Sequence, residues 1–265
     1  MALATGERRV TAVDLDAGRL ELLRHNLDVV DRDVTRLPAD ALQVPLPPHG
    51  WVHADPARRR EGRRVRRLRD HVPPVGALAE ALRGVEAGAI ILSPAVDLDD
   101  PDLVDGELEF IQIGDDLIES VLWLGQTRRQ GTLASCTLLP SEEHLARTAD
   151  PVDLAVGAIG DHLLTVAPAA VRARLHDQIG ERLGARRVAH VRALLTSDGE
   201  PPDDPWVRAR PVETVLPARS KVVRRWLREA SELPIEIATH GLALDPDRWW
   251  RELGRPPRGP HGRRL

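Results

Sequence analysis

A chain of 265 residues has room for one large domain, or for one domain with a smaller appendage. Its 42% hydrophobic and 29% charged residues are those of a soluble globular protein, and a net charge of −4 confines any nucleic-acid footprint to a local patch. The single cysteine, Cys136, excludes an internal disulfide and predicts a reducing, cytoplasmic setting.

The opening MALATGERR lacks the apolar stretch of a secretory signal, and the longest apolar runs, such as AIIL at 89–92, are too short to span a bilayer. The ten histidines show no ligand spacing, so no metal is expected. Phe occurs once and Tyr never, which leaves the core to Leu, Val, Ala and Ile.

In chain order, VTAVDL at 10–15 reads as a strand, and Asp16 as the cap of a helix carrying Leu20, Leu23 and Leu27. A second strand is expected around Val34–Leu37, followed by Asp40, and WVHA at 51–54 reads as a buried strand ending at Asp55. A basic loop follows, then a helix with Leu78, Ala81, Leu82 and Val85, then the buried strand GAIILS at 88–93. Alternating strands and helices predict a parallel sheet covered on both faces.

LEFIQI (108–113) and ESVLWLG (119–125) predict an antiparallel hairpin, with a further strand in GTLASCTLLP (131–140). The ten acids and no bases of 97–119 read as a solvated face. Pro168 opens a helix with Val171, Leu175, Ile179 and Leu183 at every fourth position. HVRALLTSD (190–198) reads as a strand and the turn-rich GEPPDDP (199–205) as a domain boundary. A basic helix near Lys221–Glu229, a strand LPIEIAT (233–239) and a helix opened by Asp245-Pro246 complete the chain.

Three predicted strands end in acids: Asp14, Asp40 and Asp55. In an open parallel sheet, ligands bind beyond the carboxyl ends of the strands. Acids there suit ribose hydroxyls, an adenine amino group and a reacting centre, and each acid also has a plain reading as a cap or turn residue. Residues 51–70 hold eight arginines against Asp55, Glu61 and Asp70. Such a loop can bind phosphates, or it can pair with the acids of 97–119. Cys136 sits in an apolar strand and reads as a buried structural residue rather than a nucleophile.

VTAVDLDAGRLELLRHNL, PADAL (38–42) and ADPARR together resemble class I S-adenosylmethionine-dependent methyltransferases. With ILSPAVD (91–97), ESVLWLG and HVRALLTSD the resemblance narrows to members with a C-terminal THUMP-like domain, which PARSKVVRRWL to IEIATHGLALDPDRW resembles. The resemblance implies an α/β fold: a Rossmann-like sheet over residues 1–150, a connecting region over 151–213 and a THUMP-like module over 214–265. It implies S-adenosylmethionine as cofactor and RNA as partner, with no membrane.

By the same resemblance Asp14 binds ribose, Leu15 packs on adenine, and Asp40 and Ala41 meet the adenine edge. Asp55, Pro56, Ala57 and Arg58 line the acceptor pocket, and Arg59, Arg60, Arg63 and Arg64 hold the nucleic acid. Amine-methylating members carry Pro and an aromatic where this chain has Ala57-Arg58. The family's first strand and glycine-rich loop have no counterpart before VTAVDL, so the expectation is a truncated sheet with weak cofactor binding. A non-catalytic RNA-binding or interaction protein is the alternative.

Overall fold

Local sequence signals start the first elements. In a computed structural model, the described residues are 9–46, 49–60, 62–65, 67–147, 152–188, 193–229, 234–239, 245–253 and 263–264. Strand β1 (Thr11–Asp14) leads into helix α1 (Ala17–Val29). Asp16 caps that helix, its carboxylate accepting from the Gly18 and Arg19 amides. Leu20 and Leu27 are its buried residues, while Leu22 stays exposed. Helix α1 returns the chain to β2 (Thr35–Pro38), which pairs with β1 in parallel, Asp14 opposite Pro38.

The chain divides into two compact units, residues 1–111 with 118–135, and residues 112–117 with 136–265. In the first unit, β3 (Trp51–Ala54) precedes a small hairpin of β4 (Arg59–Arg60) and β5 (Arg63–Arg64), turned at Gly62 with φ of 78°. Helix α2 (Val75–Ala81), prolonged by one 3-10 turn over Leu82–Gly84, leads into β6 (Ala87–Leu92). Strand β6 is buried along nearly its whole length because it has β3 parallel on one side and β8 (Asp116–Gly125) antiparallel on the other.

The WVHA strand forms as expected, but it is not buried: Trp51 is 73% exposed. Among the described residues β3 pairs only with β6, so one edge and much of its surface have nothing against them. Likewise β1 pairs only with β2, and β1 and β3 do not pair with each other.

Strand β7 (Glu107–Ile113) and β8 are neighbours joined through Gly114 and Asp115, a connection short enough only for an antiparallel hairpin. With β9 (Ala134–Leu139) and β10 (Glu143–Ala146) they give the sheet order β10-β9-β7-β8-β6-β3. The sheet is therefore mixed, where alternation alone predicted a parallel one. Cys136 is fully buried in β9.

The acidic stretch is not uniformly solvated. Glu107 and Glu109 in β7 are buried, at 0% and 6% exposure. Glu107 accepts from the Arg129 amide at 2.8 Å, the Arg129 guanidinium at 2.6 Å and the Ser135 hydroxyl at 2.6 Å. Glu109 accepts from the Trp123 indole at 2.6 Å. These donors, 14 to 28 residues away, make burial of the carboxylates tolerable.

In the second unit, β11 (Val156–Gly157), β12 (His162–Val166), β13 (Arg186–Val188), β14 (Leu194–Ser197) and β15 (Val207–Pro211) form a sheet in the order β11-β13-β14-β12-β15. The single helix expected from Pro168 is two: α3 (Pro168–Arg172) and α4 (His176–Arg182). Arg174 breaks it with φ of 59°, while Leu175 and Ile179 remain buried as the spacing required. The turn at 199–205 is no boundary for this sheet, because β15 beyond it pairs with β12 before it. Trp206, 2% exposed, closes that turn. Of HVRALLTSD, residues 190–192 lie outside the described residues.

A small separate cluster follows. Helix α5 (Ser220–Glu229) buries Val223 and Leu227 and exposes Arg224, Arg225 and Arg228. Strands β16 (Pro234–Glu236) and β17 (Arg263–Arg264) pair in parallel, and α6 (Pro246–Leu253) lies between them in sequence. Leu253 joins Val223 and Leu227, with Leu216, Trp226, Ile237 and Trp249 packed against them. Trp249 is thus a packing residue. The side chain of Ile235, in β16, lies outside the described residues.

Candidate functional site

Asp14 and Asp40 sit at the carboxyl ends of two adjacent parallel strands. The Ala39 amide donates to the Asp14 carbonyl at 3.2 Å, tying the two ends together. The Asp14 carboxylate, 32% exposed, accepts from the Asp16 amide at 2.8 Å and lies 3.6 Å from Arg19 Nη1. Asp40 accepts from the Leu42 amide at 3.0 Å through Oδ1. Each carboxylate offers about four acceptor positions, so both keep capacity for a ligand. Leu15 beside them is 70% exposed, an apolar platform next to two acids, and Ala41 is half-buried.

These residues suit part of a nucleoside: hydroxyl donors for Asp14, an amino donor for Asp40 and an apolar face for Leu15. The donor set therefore fits the adenosine of S-adenosylmethionine.

Asp55 lies at the carboxyl end of β3, in the other ladder, and is exposed. Pro56 after it is buried, Ala57 is exposed and Arg58 is half-buried. Ala57 and Val72 exchange both backbone hydrogen bonds, at 2.8 and 3.1 Å, in an antiparallel bridge. The Val65 amide donates to the Arg58 carbonyl at 3.0 Å. The Asp55–Arg58 corner is therefore pinned from both sides, by 65 and by 72.

The bridge places His71 opposite Arg58, on one face of the paired segments. His71 is 2% exposed, and its Nδ1 has no hydrogen-bond partner among the described residues. Burial lowers its pKa and the Arg58 charge lowers it further, against weaker pulls upward from Asp70, Asp100 and Asp55. His71 stays neutral near pH 7. No motif pointed to it; the only trace in the sequence is that HVPP closes the basic run.

The arginines divide. Arg59 and Arg63 are exposed on the β4–β5 hairpin, and neither forms an ion pair with a described residue. The side chains of Arg60 and Arg64 lie outside the described residues. Arg69 instead pairs with Asp102 at 2.8 Å, and Arg67 and Arg69 line a cleft of about 360 Å³ with Asp97, Asp99 and Asp100. The far end of the basic run thus meets the acidic stretch, while among the described residues Arg59 and Arg63 form no ion pair with it.

Among the described residues there is no group of His, Cys, Asp or Glu able to hold a metal, and no helix long and apolar enough to cross a membrane. The structure brings the Asp14 and Asp40 strand ends together and keeps Asp55 and Arg58 at one corner, and among the described residues no ladder joins the two pairs.

No family model matches the chain. Two curated proteins from Mycobacterium tuberculosis, strains CDC 1551 / Oshkosh and ATCC 25618 / H37Rv, are each 30% identical over 247 residues. The match covers 92% of this chain and 67% of each relative, and both are named uncharacterized S-adenosylmethionine-dependent methyltransferases. Among solved structures, a protein from Porphyromonas gingivalis W83 described as a methyltransferase aligns with a TM-score of 0.70 at 17% identity. That likeness concerns the fold; it covers 92% of this chain, which spans 64% of the length of that structure. The mixed α/β fold, the acids at the ends of β1 and β2, and the two relatives agree: the chain belongs to the S-adenosylmethionine-dependent methyltransferases.

Proposed function

We propose that this chain transfers methyl groups to RNA, with Asp14, Leu15, Asp40 and Ala41 holding the adenosine of the cofactor and Asp55–Arg58 facing the acceptor. The observation that carries the RNA reading is that the Asp55 corner runs straight into a hairpin exposing Arg59 and Arg63. A carboxylate able to orient an acceptor group thus adjoins cations able to hold phosphates. Bound S-adenosylmethionine supplies a methyl group already activated on a sulfonium, so the protein's task is in-line positioning. Asp55 would accept a hydrogen bond from the acceptor's N–H or O–H, orient that atom's lone pair toward the methyl and receive the proton shed as the new bond forms, the cofactor leaving as the neutral thioether. Arg59, Arg60, Arg63 and Arg64 hold the polyanion.

The amphipathic helix α5, with Arg224, Arg225 and Arg228 outward, supports a THUMP-like role for 214–265 as a second RNA contact. Among the described residues β1 and β3 each pair on one side only, and the residues assigned to the cofactor reach only its adenosine. Binding of S-adenosylmethionine by this chain is accordingly expected to be weak. The alternative, RNA binding without transfer, is favoured by Arg58 standing where an aromatic ring would stack on a base.

The test incubates the chain with methyl-labelled S-adenosylmethionine and total bacterial RNA. Label in the RNA, lost in Asp55→Ala, is the expected result. RNA that binds but stays unlabelled, at cofactor concentrations where calorimetry shows saturation, would establish the non-catalytic alternative.

A further inference from the structure

Buried polar atoms are nearly always satisfied, so an exception asks for a reason. His71 is such an exception, and it lies directly behind the corner assigned to the acceptor. It is 2% exposed, its Nδ1 lacks a partner among the described residues, and the Ala57–Val72 bridge sets it opposite Arg58. We propose that His71 is a positioning residue for the acceptor corner: its uncharged imidazole, buried opposite Arg58, seats the Asp55–Arg58 loop, and protonation unseats it. The proposal rests on the acceptor role given to Asp55–Arg58 above.

The physical argument runs through charge. A neutral imidazole can lie beside the Arg58 guanidinium without penalty, and it fills space beneath the bridge. An imidazolium at the same place is a second cation facing Arg58 inside a poorly solvated pocket. The other charged groups acting on His71 are Asp70 next to it in sequence, Asp100 in the acidic stretch and Asp55 in the loop itself. These three favour the charged form, but burial and Arg58 outweigh them, so the folded protein resists protonation at His71. When the proton does bind, Arg58 is pushed away and Asp55 is drawn inward. Both ends of the acceptor loop then move, and the Ala57–Val72 bridge between them is what must yield.

This role differs from plain core filling, which would depend on the size of the ring and not on its charge. It also differs from a catalytic base, because the residue is only 2% exposed and its Nδ1 is closed off from solvent.

The full chain is tested by amide hydrogen exchange at Ala57 and Val72, read as protection factors corrected for the intrinsic pH dependence of exchange, beside the NMR titration of the His71 ring. The expected result is strong protection near neutral pH and a loss of at least about tenfold as His71 takes up its proton. His71→Gln, neutral at every pH, keeps the protection and removes its pH dependence. His71→Lys, a chain that tends to carry charge, has low protection near neutral pH. Protection unchanged through the His71 titration would overturn the proposal, as would loss of protection in His71→Gln at all pH values. If His71→Lys fails to fold, wild type and His71→Gln still decide the matter. No RNA or cofactor enters this measurement, so a chain that never methylates RNA counts against the substrate reading alone.

Discussion

Two sets of carboxylates in the first unit behave in opposite ways. Asp14, Asp40 and Asp55 sit just past or at the last residue of a strand, half-buried or exposed, with acceptor capacity left over. Glu107 opens strand β7 and Glu109 lies two residues into it, both buried, and Glu107 is saturated by three donors. The difference teaches that an acid's place along a strand decides its use. Past a strand's carboxyl end the ladder stops and a ligand can approach; at a buried amino end or within the strand, a carboxylate's lone pairs must be met by the protein.

The largest effect should come from breaking the saturated set. Glu107→Ala leaves the Ser135 hydroxyl and the Arg129 amide without their acceptor in a buried place. Removing one partner of a buried charge pair costs about 3–5 kcal/mol, and Arg129, being 48% exposed, can reach water, so about 3 kcal/mol is expected. Thermal unfolding should show a drop of about 6–12 °C. An unchanged melting temperature would mean that these contacts do not hold β7 in place.

Breaking the strand-end set should do the reverse. Asp14→Ala removes an acceptor for two hydroxyls, which amounts to about a 10–100-fold weaker affinity for S-adenosylmethionine in calorimetry. Its stability should change by no more than about 0.5 kcal/mol, since the carboxylate is partly solvated. If instead Asp14→Ala destabilises the fold and spares cofactor binding, Asp14 belongs with Glu107 and the comparison fails.

The legible part of this molecule was the part set by neighbours in sequence. The Asp16 cap, the AIIL run of β6, the pair of strands around Gly114 and the buried Leu175 and Ile179 all follow from short-range pattern. What escaped depends on distant partners. WVHA is as apolar as a buried strand, yet Trp51 is exposed because pairing on its second side is a property of the sheet. Glu107 looked like one acid among ten until Arg129 and Ser135 were placed against it. Arg174 interrupts a helix whose apolar spacing is unbroken, and His71 acquires its place only when residue 72 pairs with residue 57.

The arginines allow the comparison to be sharpened from the side of the cations. Arg69 is committed to Asp102, whereas Arg59 and Arg63 have no described ion-pair partner. Replacing Arg59 and Arg63 together by Gln should lower the salt slope of RNA binding by about 1–2, one released counterion per phosphate contact. Arg69→Gln should leave that slope unchanged in a filter-binding series over ionic strength. Equal effects of the two replacements would mean that the basic run acts as one undivided patch.

The smallest effect concerns His71, buried behind the exposed Asp55 corner. His71 has its pKa lowered from the ordinary 6.5, first by burial and then by Arg58. The unfolded chain therefore takes up this proton at a higher pH than the folded chain does. Above about pH 6.5 neither state binds it and the full stability is present. As the pH falls below that value the unfolded state is favoured by its extra proton, and stability drops until the lower folded value is passed. The chain holds nine other histidines, so wild type alone does not isolate His71. The difference between wild type and His71→Gln does, because the shared histidines cancel. Denaturation midpoints taken from about pH 8 to about pH 5 should run parallel above 6.5 and diverge below it, wild type falling faster. Parallel curves throughout would show that His71 titrates alike in both states and that its burial beside Arg58 carries no charge penalty.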